Sequence, residues 1–229
     1  MAQLGQFALA IAFIVAIYTI VASLIGIRTR NDKLIASGRN AAICNTIAIS
    51  TAIFSLGYLF LTNDFSVAYV AAHSSIDLPL HFKISSVWGG QEGSLLFWSW
   101  ILTVYSALVI IQNRNKHRSM MPYVTSVLTA TSLFFTAMHL FIVNPFKVGA
   151  IQMPNGALSL FHPTDGAGLN PLLQDTLMVI HPPMLYTGMV GLAVPYAFAI
   201  AALITRQLGD TWIRTTRRWR ALPDPHREP

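Results

Sequence analysis

Charged side chains are scarce: Asp, Glu, Lys and Arg together make up 10% of the 229 residues, where a soluble globular domain carries roughly a quarter. A deficit of that size excludes a surface that faces water all round. Cysteine is scarcer still. The single Cys44 excludes an intrachain disulfide framework and a CxxC redox pair, and its apolar surroundings make a small packed hydrophobe its expected role. No Lys or Arg precedes Arg28, which argues against a cleaved signal peptide, because such peptides begin with a basic stretch. Histidines are present, but none with HxxxH-type spacing, so no metal cluster is legible in the pattern. Internal repeats and low-complexity tracts are missing as well.

What fills the chain instead is apolar: 54% hydrophobic residues and a mean hydropathy of +0.54. Five apolar runs, about 4–27, 41–61, 94–111, 122–143 and 184–205, account for most of it. About 20 apolar residues in a helix rise ~30 Å, enough to cross the hydrocarbon of a bilayer. The expected fold is all-α: a polytopic integral membrane protein with about five transmembrane helices. The second, third and fifth runs have no ionisable residue at mid-depth. Ion and proton pathways keep such groups inside the membrane, so a small-solute transporter is disfavoured.

Basic residues divide unequally between the two sides. Segment 28–39 holds four, 112–120 holds three and the stretch from Arg206 to Arg227 holds six, whereas the opposite side holds only Lys83 and Lys147. Thirteen against two sets an N-out, C-in orientation by the positive-inside rule. The net charge of +6 is thereby explained as sorting, with attraction to anionic lipid worth about 1 kcal/mol per basic residue. No nucleic-acid partner is needed.

Two long outer segments, about 62–93 and 144–183, exceed the ~12–15 residues beyond which loops in compact proteins are usually functional or disordered. Their aromatics (among them Phe65, Tyr69, Phe82, Trp88, Phe146 and Phe161) argue against disorder, and five acids accompany them. Function is therefore expected on the outer face.

Two motifs stand out there. The first, Val87-Trp88-Gly89-Gly90-Gln91-Glu92-Gly93-Ser94, has three glycines in five residues, which permits tight turns and close backbone approach. Glu92 complements a helix dipole and Ser94 is a candidate cap. Two readings stay open: an interfacial helix start with Trp88, Trp98 and Trp100 in the aromatic belt, or a surface for a flat aromatic ligand. The second is Ile180-His181-Pro182-Pro183. Pro182 biases His181 away from helical geometry and Pro183 suits the first turn of the fifth helix, so His181 is expected on a stiff elbow. From there it can present a neutral nitrogen to a metal, or bond a loop carbonyl. His139, one turn from the outer end of the fourth helix, reads as a packed polar contact. His73, His81 and His162 fall in outer loops, and His117 and His226 on the basic side. In the fifth helix Pro195 cannot donate to the carbonyl of Gly191, so a kink is expected there, with Gly188 and Gly191 allowing close helix packing.

Taken in order, Asn63 to Ala71, Val87 to Trp98, Asn144-Pro145-Phe146, Asn170 to Asp175, Ile180 to Tyr186 and Val194 to Ala199 resemble the N-terminal part of the cytochrome c maturation protein F family (CcmF, CycK, NrfE). The resemblance covers residues 1–219. It implies c-type cytochrome biogenesis. The family acts as the heme lyase that takes heme from a periplasmic heme chaperone and joins it to apocytochrome c, whose thiols a reducing partner keeps available. By resemblance, His181 is an axial ligand to the iron of the transferred heme, while Trp88, Glu92 and Tyr69 shape the outer surface without bonding iron. No catalytic residue is assigned and no metal beyond heme iron is implied. The location expected is a bacterial inner membrane, with a mitochondrial inner membrane as the alternative.

The departures from the family pattern are specific. Its Trp-rich heme segment and further histidines lie downstream of residue 220, the last nine residues (221–229) are not familial, and Gln91 stands where a histidine is frequent. The expectation is residues 1–220 as the N-terminal transmembrane region of a lyase, split or truncated, inactive without its C-terminal remainder. The alternative is a non-catalytic scaffold that docks the chaperone or the apocytochrome.

Overall fold

In hydrocarbon a backbone N–H or C=O finds no water, so an apolar run must satisfy its own hydrogen bonds, and the helix does this within one segment. The computed structural model, which describes residues 1–152, 158–160, 163–207 and 212–213, has five helical stretches long and apolar enough to span a bilayer. They are α1 (Ala2–Arg28), α2 (Asp32–Leu61), α5 (Gln91–Gln112), α6 (Met121–Phe141) and the pair α7 (Thr176–Gly191) and α8 (Ala193–Thr205). Between the spans lie two short helices, α3 (Ala68–His73) and α4 (Leu80–Ser86), and a single-turn 3-10 helix at Pro171–Leu173. The only strands among the described residues are Ala150–Gln152 and Leu158–Leu160, three residues each and paired antiparallel. The all-α, five-span architecture expected of the sequence is the one observed.

Alternation of the spans brings residues 62–90, 142–152 and 163–175 out at one end, the cap end. Arg28, Arg30, Lys33, Arg114, Lys116 and Arg118 lie at the other. Residues 214–229, with Arg214, Arg217, Arg218, Arg220 and Arg227, His226 and the non-familial tail, lie outside the described residues, as do Phe161 and His162.

Several boundaries differ from expectation, each for a local reason. α2 begins at Asp32 rather than near residue 41, because the Asn31 side chain accepts from the N–H groups of Lys33 and Leu34 (3.1 and 3.2 Å) and Asp32 occupies the first turn. Segment 28–39 is thus mostly helix, and the turn before it is closed by Arg30 at φ 52°. Cys44 is exposed, not packed, since it points outward from α2. The fifth span begins at Thr176, where Asp175 accepts from Leu177 N–H at 2.8 Å, so Pro182 and Pro183 sit inside α7 and His181 is helical. The elbow expected at His181 does not form: the Asp175 cap starts the helix upstream, and the prolines are accommodated within it. The break expected from Pro195 does occur, at Leu192 between α7 and α8. Of the two glycines before it, Gly191 is buried, whereas Gly188 is open: a Cβ placed there would meet nothing within 4 Å.

Spans α1 and α2 pack through small residues. Ala8, Ala12, Ala16, Thr19 and Ser23 share the buried face of α1, and Gly38 of α2 lies so close that a Cβ would meet Ser23 Oγ at 2.7 Å. The polar groups between spans are mostly self-satisfied. Asn45 Nδ2 donates to Ser132 Oγ (3.1 Å), Trp100 Nε1 donates to Ser50 Oγ (3.0 Å), and Thr46 Oγ1 donates to the Thr103 carbonyl (2.9 Å). His139 is fully buried beside Ser99, the packed polar contact expected of it.

Gly38→Leu should overpack this seam and lower stability by about 1–3 kcal/mol. Gly57→Ala, at a helical site with nothing within 4 Å, should be neutral or stabilising by up to ~1 kcal/mol. Thermal unfolding in detergent micelles compares the two directly.

Candidate functional site at the cap end

The two outer segments fold against each other. Ala68 N–H donates to the Lys147 carbonyl (3.0 Å), Gly149 N–H to that of Ser66 (2.9 Å), Ala167 N–H to that of Ala71 (2.7 Å) and Gly168 N–H to that of Ser74 (2.9 Å). Asp165 Oδ1 accepts from Ile76 N–H at 2.9 Å. Backbone groups that would otherwise be unpaired away from water are paired across the segments, which gives the cap a fixed shape.

Within the cap, Tyr69 organises the glycine-rich motif. It is 4% exposed, so it lies beneath the outer surface rather than on it. Its hydroxyl accepts from Gly90 N–H (2.9 Å) and can donate to the carbonyls of Ser86 and Val87, both at 3.3 Å. Its ring packs edge-on to Phe60 and lies 4.5 Å from the His73 ring. The glycines are required by this approach: a Cβ on Gly93 would strike the Val87 carbonyl and the Tyr69 hydroxyl, and one on Gly90 would strike His73 Nε2. Burial, the largest influence, pushes the Tyr69 phenol above its ordinary range, with the nearby Glu92 carboxylate adding in the same direction.

Glu92 lies in the first turn of α5, as expected, but Gly90 is the residue that starts the helix. Ser94 does not cap it; its hydroxyl donates back to the Trp88 carbonyl at 2.8 Å. Trp88 is partly buried, its ring 5.1 Å from Phe97, and its indole N–H is buried without a hydrogen-bond partner. Phe97 continues the row to Trp100 (5.8 Å) and, across to α7, to Tyr186 (6.2 Å). The motif is therefore both a helix start and one end of an aromatic row that reaches the helix carrying His181.

His181 is exposed on α7 and has no hydrogen-bond partner among the described residues. Its neighbours one turn away in each direction, Leu177, Met178, Met184 and Leu185, are also exposed, so the imidazole stands in an apolar stripe. Only Val190 and Gly191 of α7 are buried. A hydrogen bond from Tyr105 Oη to the Thr187 carbonyl (3.1 Å) holds the helix to α5. The alternative reading of His181, a bond to a loop carbonyl, is absent here. It is His73 that makes such a bond, through Nδ1 to the Tyr69 carbonyl (2.9 Å). His81 lies on Phe82, 4.1 Å between rings. No group of three or more His, Cys, Asp or Glu that could hold a metal exists among the described residues. An accessible, unbonded imidazole set among apolar side chains does suit one face of a metalloporphyrin, whose body is apolar and whose iron takes an axial nitrogen.

Sequence reasoning missed Lys83. It is 9% exposed, with Nζ donating to Asn63 Oδ1 (2.8 Å) and the Ile76 carbonyl (3.0 Å), although it reads as an ordinary loop lysine. Nothing in the spacing announces that burial. The Asp175 cap, by contrast, carries a readable signal in its Asp-Thr pair.

Residues 88–224 match the family described as Cytochrome C assembly protein. Similar curated proteins are the cytochrome c-type biogenesis protein CcmF of Haemophilus influenzae, 38% identical over 218 residues (95% of this chain, 32% of the relative), and CcmF of Escherichia coli, 34% identical over 219 residues (96% and 32%). A solved structure titled Cytochrome c Heme Lyase CcmF aligns with a TM-score of 0.79 at 27% identity, covering 95% of this chain and 33% of that one. The chain thus spans about a third of the length of the curated relatives it matches. It belongs to the cytochrome c assembly protein family.

Tyr69→Phe should cost about 1–3 kcal/mol, because it removes the acceptor of the Gly90 N–H, a bond to a buried phenol in a half-buried loop. Limited proteolysis after Trp88 should speed up accordingly. In the wild type, a phenol raised in the folded state favours the folded protein fully below the unfolded pKa of about 10, and that contribution falls as pH rises above it. Alkaline loosening of the loop should therefore begin above pH ~10 and be blunted in Tyr69→Phe.

Proposed function

We propose that this chain is the N-terminal membrane region of a cytochrome c heme lyase, acting in c-type cytochrome biogenesis, with His181 as one axial ligand to the heme being transferred. The observation that carries the reading is the His181 imidazole itself: exposed, without a hydrogen-bond partner among the described residues, and set in the apolar stripe of Leu177, Met178, Met184 and Leu185. Two relatives named CcmF and a structure titled as a heme lyase support the biological setting.

Heme here is cargo. A neutral imidazole donates its nitrogen lone pair to iron, and the apolar stripe accepts the porphyrin edge, so one residue fixes the position of the group while its far side stays open. Trp88, half-buried at the end of the aromatic row, contributes the edge of its ring to the outer surface, whereas Tyr69 acts from beneath by holding the glycine-rich backbone. Glu92 keeps its place at the first turn of α5.

In this reading the cap end faces the periplasm of a bacterial inner membrane, N-out and C-in, where a heme chaperone, apocytochrome c and its thiol-reducing partner meet the protein. The remaining two thirds of the relatives' length would supply the second ligand and the rest of the heme surface.

In the protein assembled with that remainder, His181→Ala should lose most bound heme, assayed as pyridine hemochrome, together with cytochrome c maturation. His81→Ala should keep both. Full heme and maturation in His181→Ala would refute the ligand assignment, and lost chaperone capture with heme intact would favour a docking scaffold. Orientation is read separately, in a Cys44→Ser background: an impermeant maleimide on intact cells should label Asp77→Cys and leave Lys116→Cys unlabelled.

A further inference from the structure

The short helix α4 is built inside-out. A helix at a watery surface turns its apolar side chains inward and its charged ones outward. In α4 the buried residues are Lys83, Ser85 and Ser86, whereas Leu80 and Ile84, one turn apart, are 64% and 46% exposed. Lys83 is the plainest sign. A lysine beside water extends its ammonium into it, yet this one folds under the helix onto Asn63 Oδ1 and the Ile76 carbonyl. The two serines are likewise withdrawn: Ser85 and Ser86 hydroxyls donate to the Phe82 carbonyl at 3.0 and 2.8 Å, satisfying themselves within the helix.

We propose that α4 lies in the membrane interface at the cap end, with Leu80 and Ile84 immersed at the boundary between lipid headgroups and acyl chains. Continuity with the spans argues for lipid as the occupant. α4 packs on α2 and touches α7. Both of those elements also turn apolar side chains outward at this end: Tyr58 and Leu61 on α2, Leu177 and Ile180 on α7. The apolar band around the spans therefore continues across α4 instead of stopping at the helix ends. The polar groups left outside, Asp77 before the helix and the exposed His81 within it, are suited to the headgroup layer. Interfacial helices of this kind bury one apolar face a short way into the boundary while the rest stays wet. Five segments cross the membrane, and α4 is an additional contact that lies along it.

The consequence is a cap tied to the bilayer surface on the side of α7. This inference stands on the membrane-spanning fold alone and does not require heme at His181.

The experiment uses the chain in liposomes of neutral phospholipid, with Cys44→Ser and a nitroxide attached in turn to Leu80→Cys, Ile84→Cys, Asp77→Cys and, as an immersed reference, Phe134→Cys on α6. Power saturation with oxygen and with a water-soluble nickel chelate gives the accessibility ratio. Labels at 80 and 84 should show an oxygen-to-nickel ratio several-fold above that at 77, approaching that at 134. A ratio at 80 and 84 equal to that at 77 would mean water and overturn the proposal. Low access to both reagents would mean that protein, a second copy or another chain, covers the face, and would overturn it equally.

Discussion

The requirement that no polar group remain unpaired in hydrocarbon governs this molecule at every scale. It selects helices for the spans, because an intrasegment ladder satisfies the backbone there without help from another segment. It then decides the side chains. The hydroxyls of Thr19, Ser126, Thr131 and Thr136 bond back to carbonyls four residues earlier, and Asn45 reaches across to Ser132. The same demand shapes the cap, where Lys83 turns inward and two outer segments exchange backbone hydrogen bonds. Exceptions are few among the described residues, and two of them, Asn45 Oδ1 and the Trp88 indole N–H, lie at the α2–α6 seam and in the glycine-rich motif.

Rigidity and openness are divided between neighbouring elements. The glycine-rich motif is fixed from below by Tyr69 and admits no side chain at Gly90 or Gly93. α7, next to it, buries only its last two residues and leaves His181 uncovered. The heme-transfer site proposed for this end would need both properties: a surface that does not shift, and a ligand that can be approached and vacated. The aromatic row from Trp88 through Phe97 to Tyr186 is the physical link between them.

Much of this was legible in the residues. Span number and type follow from run length, and Pro195 announced the break at Leu192. The charge asymmetry was readable too, since Lys33 and Arg39 sit at the same end of α2 whether that end is loop or helix. The boundaries that differ from expectation have a common cause: side-chain capping, not composition, decides where these helices start. Asn31 starts α2 well before the hydropathy rises, and Asp175 starts α7 ahead of Pro182 and Pro183, which places Arg39 in α2 and His181 in α7. Facing direction was the other blind spot. Nothing in the spacing said that Cys44 and Gly188 face outward or that Lys83 faces inward, because those directions depend on which neighbours a helix meets. The ligand role proposed for His181 rests on family resemblance; what the folded chain adds is the exposure of the side chain and its lack of a hydrogen-bond partner among the described residues.

The central claim, that the His181 nitrogen reaches heme iron, is tested most directly by chemical rescue in the assembled protein. His181→Gly leaves space where the ring was, so free imidazole added during heme loading should restore the low-spin Soret and α/β bands that the variant lacks. If the variant keeps a wild-type spectrum without imidazole, or if imidazole restores nothing while the protein remains folded, the iron is held elsewhere and the account of this site is wrong.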